Sequence, residues 1–211
     1  MSTFTLQNRI RVTGRCITGM VVTEDDNVLL CDVNVAVYYP NGKYMKTIDV
    51  GDPPWDIAII PKAHRAVVSF AENKLKIQFI NLHTITLDDK LIIIPNSTSI
   101  RGIASTSDNI IVGDQGRIHC LDIDGTYLRT ILLSNRLNTR YPSIGLNNTI
   151  YYSTRSSINC VNWDGTDVFS YQIPTEGNHR KIAIDSNGNV YVIGEVQTPY
   201  NNYIRMVQWI V

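Results

Sequence analysis

The chain has 211 residues, 19 Lys and Arg balanced by 19 Asp and Glu, and a hydrophobic fraction of 44%. That is enough for one large domain or two small ones with a sizeable core, and the balance excludes both an acidic disordered tail and a globally basic nucleic-acid binder. No apolar run reaches the ~20 residues a membrane-spanning helix needs, and the first residues lack the apolar stretch of a secretory signal, so the expectation is a cytoplasmic protein with no membrane partner.

In chain order, residues 4–12 read as one strand. Met20-Val21-Val22 then leads through the polar turn Thr23-Glu24-Asp25-Asp26-Asn27 into a second strand at Val28, a third at 35–39, the turn Pro40-Asn41-Gly42 and a fourth at 44–50. The same order returns four times. Ile57-Ala58-Ile59, Ile103-Ala104, Ile144-Gly145-Leu146 and Ile182-Ala183-Ile184 each precede a polar turn, and second strands restart at Ala66, Ile110, Ile150 and Val190. Third strands follow at 77–80, 118–123, 158–163 and 204–209. Asp124-Gly125 and Asp164-Gly165, like Pro40-Asn41-Gly42, read as tight two-residue hairpin turns. The copies cover approximately residues 17–50, 54–94, 99–133, 141–174 and 179–211.

Nothing between these runs carries helical periodicity, and β-branched and aromatic residues fill them, so the chain reads as all-β. Four short antiparallel strands recurring about every 40 residues predict the four-stranded blades of a β-propeller in a single domain. A two-sheet sandwich is the rival, but it has no reason to repeat its turn chemistry at a fixed period. The strand count predicts five blades, with residues 4–12 completing the last. The alternative is an incomplete larger ring.

The segments Pro54-Trp55-Asp56-Ile57-Ala58, Leu121-Asp122-Ile123-Asp124-Gly125 and Ile182-Ala183-Ile184-Asp185-Ser186-Asn187-Gly188-Asn189-Val190-Tyr191, in their order and spacing, resemble the NHL-like propellers at the C-terminus of tripartite-motif proteins, in their divergent invertebrate form. That resemblance covers nearly all of residues 4–207 and implies a six-bladed ring, one blade more than the repeats counted here. In such ubiquitin ligases a RING carries the activity and the propeller recruits the substrate. The four cysteines, Cys16, Cys31, Cys120 and Cys160, never stand as C-x-x-C and cannot build a RING, so no ligase chemistry is expected of this chain. They read instead as buried thiols, Cys120 and Cys160 at equivalent places in consecutive third strands. Trp163 and Trp209 read likewise as packing between blades. An open ring exposing ~400 Å² of apolar face would forfeit ~10 kcal/mol, comparable with a whole domain's stability, so the ring is expected to close, to pair with a second copy through its gap, or to be poorly stable.

In propellers the loops entering each blade share a face with those between its second and third strands. That geometry gathers Trp55, Arg101, Arg117, Arg140, Tyr141, Arg155, His179 and Arg180 on one face, and Glu24, Asp25, Asp26, Asp108, Asp124, Asp164, Asp167 and Asp185 on the other. Arginines interleaved with aromatic rings suit an acidic or nucleic-acid partner. The plain alternative is solvated loop residues sorted by turn chemistry. The expected function is a non-catalytic module that binds a protein or peptide through the Arg-rich face. The rivals are an RNA-binding NHL propeller and a metal-dependent hydrolase resembling regucalcin and gluconolactonase, for which Asp56 and Glu195 would face the channel. Asp185-Ser186-Asn187-Gly188-Asn189 faintly resembles a calcium loop but reads better as a turn. His64, His83, His119 and His179 lie far apart in sequence with no paired ligand nearby, and neither a metal nor a cofactor is expected.

Overall fold

The structure, a computed structural model, describes residues 16–70, 74–134, 139–154, 156–172, 178–197 and 202–209. Short β-branched and aromatic runs, cut by Asp, Asn and Gly turns, form antiparallel strands throughout. The first repeat gives β1 (Gly19–Val22), β2 (Val28–Cys31), β3 (Val35–Tyr38) and β4 (Tyr44–Ile48). The second gives β5 (Pro54–Ile60), β6 (Arg65–Phe70), β7 (Lys76–Asn81) and β8 (Thr86–Ile93). The third gives β9 (Gly102–Ser105), β10 (Asn109–Asp114), β11 (Arg117–Asp122) and β12 (Tyr127–Leu132), and the fourth β13 (Arg140–Ile144), β14 (Ile150–Ser153), β15 (Ser157–Val161) and β16 (Asp167–Gln172). The fifth gives β17 (Asn178–Ile184), β18 (Val190–Gln197) and β19 (Asn202–Trp209).

Each repeat folds into its own sheet, with strands adjacent in chain order. The first strands, β1, β5, β9, β13 and β17, stand side by side in the same order, so the sheets fan out from a common centre as propeller blades. Among the described residues four blades are complete, not the five that the strand count predicted. The fifth repeat supplies a three-stranded sheet, and residues 4–12, expected to complete it, lie outside the described residues.

Side chains alternate across each strand, so every blade offers one apolar face to the blade before it and one to the blade after. Val35, Val37 and Ile48 of the first blade meet Ile57, Val68 and Phe70 of the second. Val67, Ile77 and Phe79 meet Ile103 and Ile110. Ile118 and Cys120 meet Tyr152 and Val161, with Trp163 packed against them, in the place the sequence predicted. Each of these large side chains contributes roughly 1.5–3 kcal/mol on burial. Cys31, Cys120 and Cys160 are buried free thiols, whereas Cys16 is exposed, against the expectation for all four. Met20 is 58% exposed where its counterparts Ile57, Ile103 and Ile182 are 2%, 4% and 7% exposed, so the outer flank of β1 is bare at this position.

The hairpin turns differ from expectation by one residue. Asp122 donates its N–H to Thr126 O (3.0 Å) and accepts from Gly125 N–H (3.0 Å), closing a three-residue loop in which Gly125 is left-handed at φ 80°. Tyr39 to Lys43 and Asn162 to Thr166 repeat the pattern, with Gly42 at φ 81° and Gly165 at φ 93°. In the third blade the reason lies in the residue before the turn pair: the Asp122 carboxylate accepts the N–H groups of Asp124 (2.9 Å) and Thr126 (2.7 Å), which favours the longer loop.

Close approach of neighbouring inner strands makes one glycine irreplaceable. A Cβ on Gly102 would lie 2.8 Å from the Tyr141 Cα, a backbone atom that cannot turn aside. Gly102→Ala should therefore lower stability by about 1–3 kcal/mol. An unchanged urea midpoint would refute the close contact of β9 with β13.

Candidate functional site

Three of the five inner strands, β5, β13 and β17, carry a bulge towards the same end. Trp55 is the extra residue between Pro54, opposite Phe70, and Asp56, opposite Ser69. Tyr141 and Pro142 share the gap between Arg140, opposite Ser153, and Ser143, opposite Tyr151. Arg180 is the extra residue between His179 and Lys181. In the third repeat Arg101 donates its N–H to Gly113 O (2.8 Å) although Gly113 already faces Gly102, and in the first Thr18 does the same to Cys31 O (3.0 Å) opposite Gly19. Bulges bend a strand and re-aim a side chain. The bulges therefore set Trp55, Tyr141 and Arg180, three of the predicted partner residues, around one mouth, where Arg101 joins them just ahead of β9.

The Arg101 guanidinium carbon lies 5.8 Å from the Trp55 ring centroid, within cation-π range, and its Nε donates to Ser99 Oγ (3.0 Å). Tyr141 donates its backbone N–H to Arg101 O (3.3 Å) at a left-handed φ of 44°, a conformation unfavourable for a residue with a Cβ. Its side chain is buried, so it forms wall rather than contact surface. Arg117 joins the same mouth from β11, donating to Asn96 O (3.1 Å) and lying 4.0 Å from Asp114. The backbones of Arg140, His179 and Arg180 are at the mouth, but their side chains, like the whole of Arg155, lie outside the described residues.

Two buried carboxylates hold this end of the ring together. Asp56, on β5, meets Lys181 Nζ of β17 at 2.7 Å and accepts the N–H groups of Ile57 (2.9 Å) and Ile103 (3.3 Å), tying three inner strands together. Burial pushes its carboxyl above the usual range, offset in part by Lys181 and then by the two N–H groups. Asp114, at the end of β10, accepts from the N–H groups of Ser99 (2.8 Å), Gln115 (2.7 Å) and Thr98 (3.1 Å) and from His119 Nε2 (3.3 Å). Burial alone would raise its carboxyl, but the hydrogen bonds, led by His119, hold it well below the usual range. His119 Nδ1 in turn meets Thr130 Oγ1 (3.1 Å), which also bonds Tyr127.

Sequence reasoning missed these pairings. His119 does have a partner, Asp114, five residues back, and the rings of His64 and His83 stack with centroids 4.1 Å apart. That pair lines a shallow cleft on the opposite face with Glu24, Asp25, Ile60 and Leu82, where Glu24 already accepts the Lys62 N–H (3.2 Å). The Arg-rich face also proves less basic than its composition implied. Lys74 and Lys76 share Asp52 (3.0 and 2.8 Å), Lys181 meets Asp56 and Arg117 approaches Asp114. Among the described residues of this face, Arg101 has no carboxylate partner.

For the hydrolase reading, Asp56 does face the centre of the ring, but Lys181 and backbone N–H groups occupy its oxygens. Glu195 has its side chain outside the described residues. Asp185 spends its carboxylate within its own turn, on Asn187 (2.9 Å), Asn189 (2.8 Å) and Tyr191 (3.0 Å), as a structural turn requires. Three buried polar atoms, in contrast, have no hydrogen-bond partner among the described residues: Trp55 Nε1, Ser97 Oγ and Thr139 Oγ1. All three lie in or just ahead of the inner strands β5, β9 and β13, at the mouth.

No family model and no curated protein matches the sequence. Solved structures do match in fold. The WD40 β-propeller domain of Doa1 superposes with a TM-score of 0.68 at 14% identity, over 84% of this chain and 60% of that one. Hydrazine synthase from Kuenenia stuttgartiensis gives 0.73 at 13% identity, over 98% and 66%. A streptogramin B lyase gives 0.68 at 16% identity, over 90% and 68%. This chain thus spans less than two thirds of the Doa1 domain and of the hydrazine synthase chain. At such identities the likeness bears on architecture alone, and with the sheet order and the ring of inner strands it establishes a β-propeller built of four-stranded antiparallel blades.

Proposed function

We propose that the chain is a non-catalytic interaction module that holds a protein or peptide partner at the mouth of the propeller, comparable to the substrate-recruiting propeller of tripartite-motif ligases. The observation that carries this reading is the gathering of buried polar atoms with no hydrogen-bond partner among the described residues, Trp55 Nε1, Ser97 Oγ and Thr139 Oγ1, at one end of the ring. Native proteins leave few such groups, and each marks strain or a place for a ligand. The neighbouring Trp55 and Arg101 are of the residue types that dominate binding hot spots. The mechanism is display: a rigid ring of blades holds bulged side chains from several strands so that their contacts add over one surface.

A peptide array probed with the wild-type chain and with Trp55→Ala tests the reading. The variant should lose about tenfold or more in affinity for whatever peptides the wild type retains, while Glu24→Ala, on the opposite face, keeps them. Equal retention by the Trp55 variant, with an unchanged melting curve, would remove the mouth from consideration.

A further inference from the structure

Which chemical group the mouth accepts follows from the charges left unspent there. Lys74, Lys76, Lys181 and Arg117 each have a carboxylate within ion-pair distance, and Arg101 has none among the described residues. Its Nε is anchored on Ser99 Oγ, and Ser99 is itself held by Asp114 through its N–H (2.8 Å). That anchoring orients the guanidinium and leaves its two terminal amino groups without a partner among the described residues, as a free edge. Such an edge matches the two oxygens of a carboxylate. Beside it stands the Trp55 ring, 5.8 Å from the guanidinium carbon, whose buried indole N–H has no acceptor among the described residues and so reports on any ligand that disturbs the ring.

We propose that the mouth recognises a carboxylate presented by an acidic peptide, gripped by the free edge of Arg101 beside the Trp55 ring. This rests on the mouth being the partner site. A polyanion fits less well, because nucleic-acid affinity grows with the number of phosphates neutralised and, among the described residues, Lys74, Lys76, Lys181 and Arg117 already face carboxylates. Ser99 and Asp114 act as positioning residues through Arg101.

The test uses fluorescein-labelled oligoglutamate, its oligoglutamine counterpart and an RNA hairpin as probes, read by anisotropy and by the Trp55 indole N–H resonance. Oligoglutamate should bind the wild type and shift that resonance. Arg101→Ala should weaken it about tenfold or more, and Arg101→Lys should restore only part, since an ammonium lacks the planar fork. Oligoglutamine binding equally well and shifting the Trp55 signal would overturn the carboxylate proposal while leaving the mouth as a peptide site. A Trp55 signal that neither peptide shifts would overturn both. Tight, steeply salt-dependent binding of the hairpin in preference to oligoglutamate would overturn the proposal in favour of RNA.

Discussion

Lys181→Met is expected to destabilise the protein by about 3–5 kcal/mol at neutral pH, because it leaves the Asp56 carboxylate charged and buried without its counter-ion. The cost should shrink in acid. Asp56 already titrates above the usual carboxylate range, so the folded state holds this proton more tightly than the unfolded state does. Its contribution to stability is therefore full below the unfolded pKa and is lost as pH rises through the folded one. Removing Lys181 raises the folded value further and widens that window. Urea unfolding between about pH 4 and pH 7 should show the deficit of the variant growing with pH. A deficit independent of pH would mean that the pair is not what holds β5 to β17. Asp56→Asn should cost less, because the amide oxygen still accepts the Ile103 N–H and Lys181, 31% exposed, can turn to water.

Asp114→Ala is expected to cost about 1–3 kcal/mol, since it orphans the buried nitrogen of His119, an unmet buried donor costing roughly that much, and takes the acceptor from the more exposed N–H groups of Thr98, Ser99 and Gln115. Here the pH dependence has the opposite sign. The folded carboxyl is held below its unfolded value, so its stabilisation is present above the unfolded pKa and is lost as pH falls toward the folded one. The wild type should weaken in acid more steeply than the variant does. Parallel acid-unfolding curves would show that the carboxylate carries no such coupling. Because Ser99 anchors Arg101, the same variant should also weaken any ligand of the mouth.

Much of the architecture was legible because it is written locally. Strand alternation and turn residues recur within each copy, and Ile57, Ile103 and Ile182 fall on equivalent positions that the structure buries. Two of the bulges have a trace as well: Trp55 and Arg180 stand two places ahead of Ile57 and Ile182. The hairpin loops went astray by one residue, because the carboxylate that lengthens the third one belongs to Asp122 and not to the Asp124-Gly125 pair.

What was not legible is which charge meets which. Composition made the mouth face look strongly basic, yet most of its described cations are spent on Asp52, Asp56 and Asp114. Asp56 and Lys181 belong to the second and fifth repeats, and His64 and His83 to different hairpins, so no spacing rule joins them. The sequence by itself determined the repeating all-β unit, because pleat and turn preferences act between residues a few places apart. Only the tertiary structure decided that, among the described residues, Arg101 is left without a carboxylate and the Trp55 indole without an acceptor, because pairing and burial depend on which strands the ring brings together.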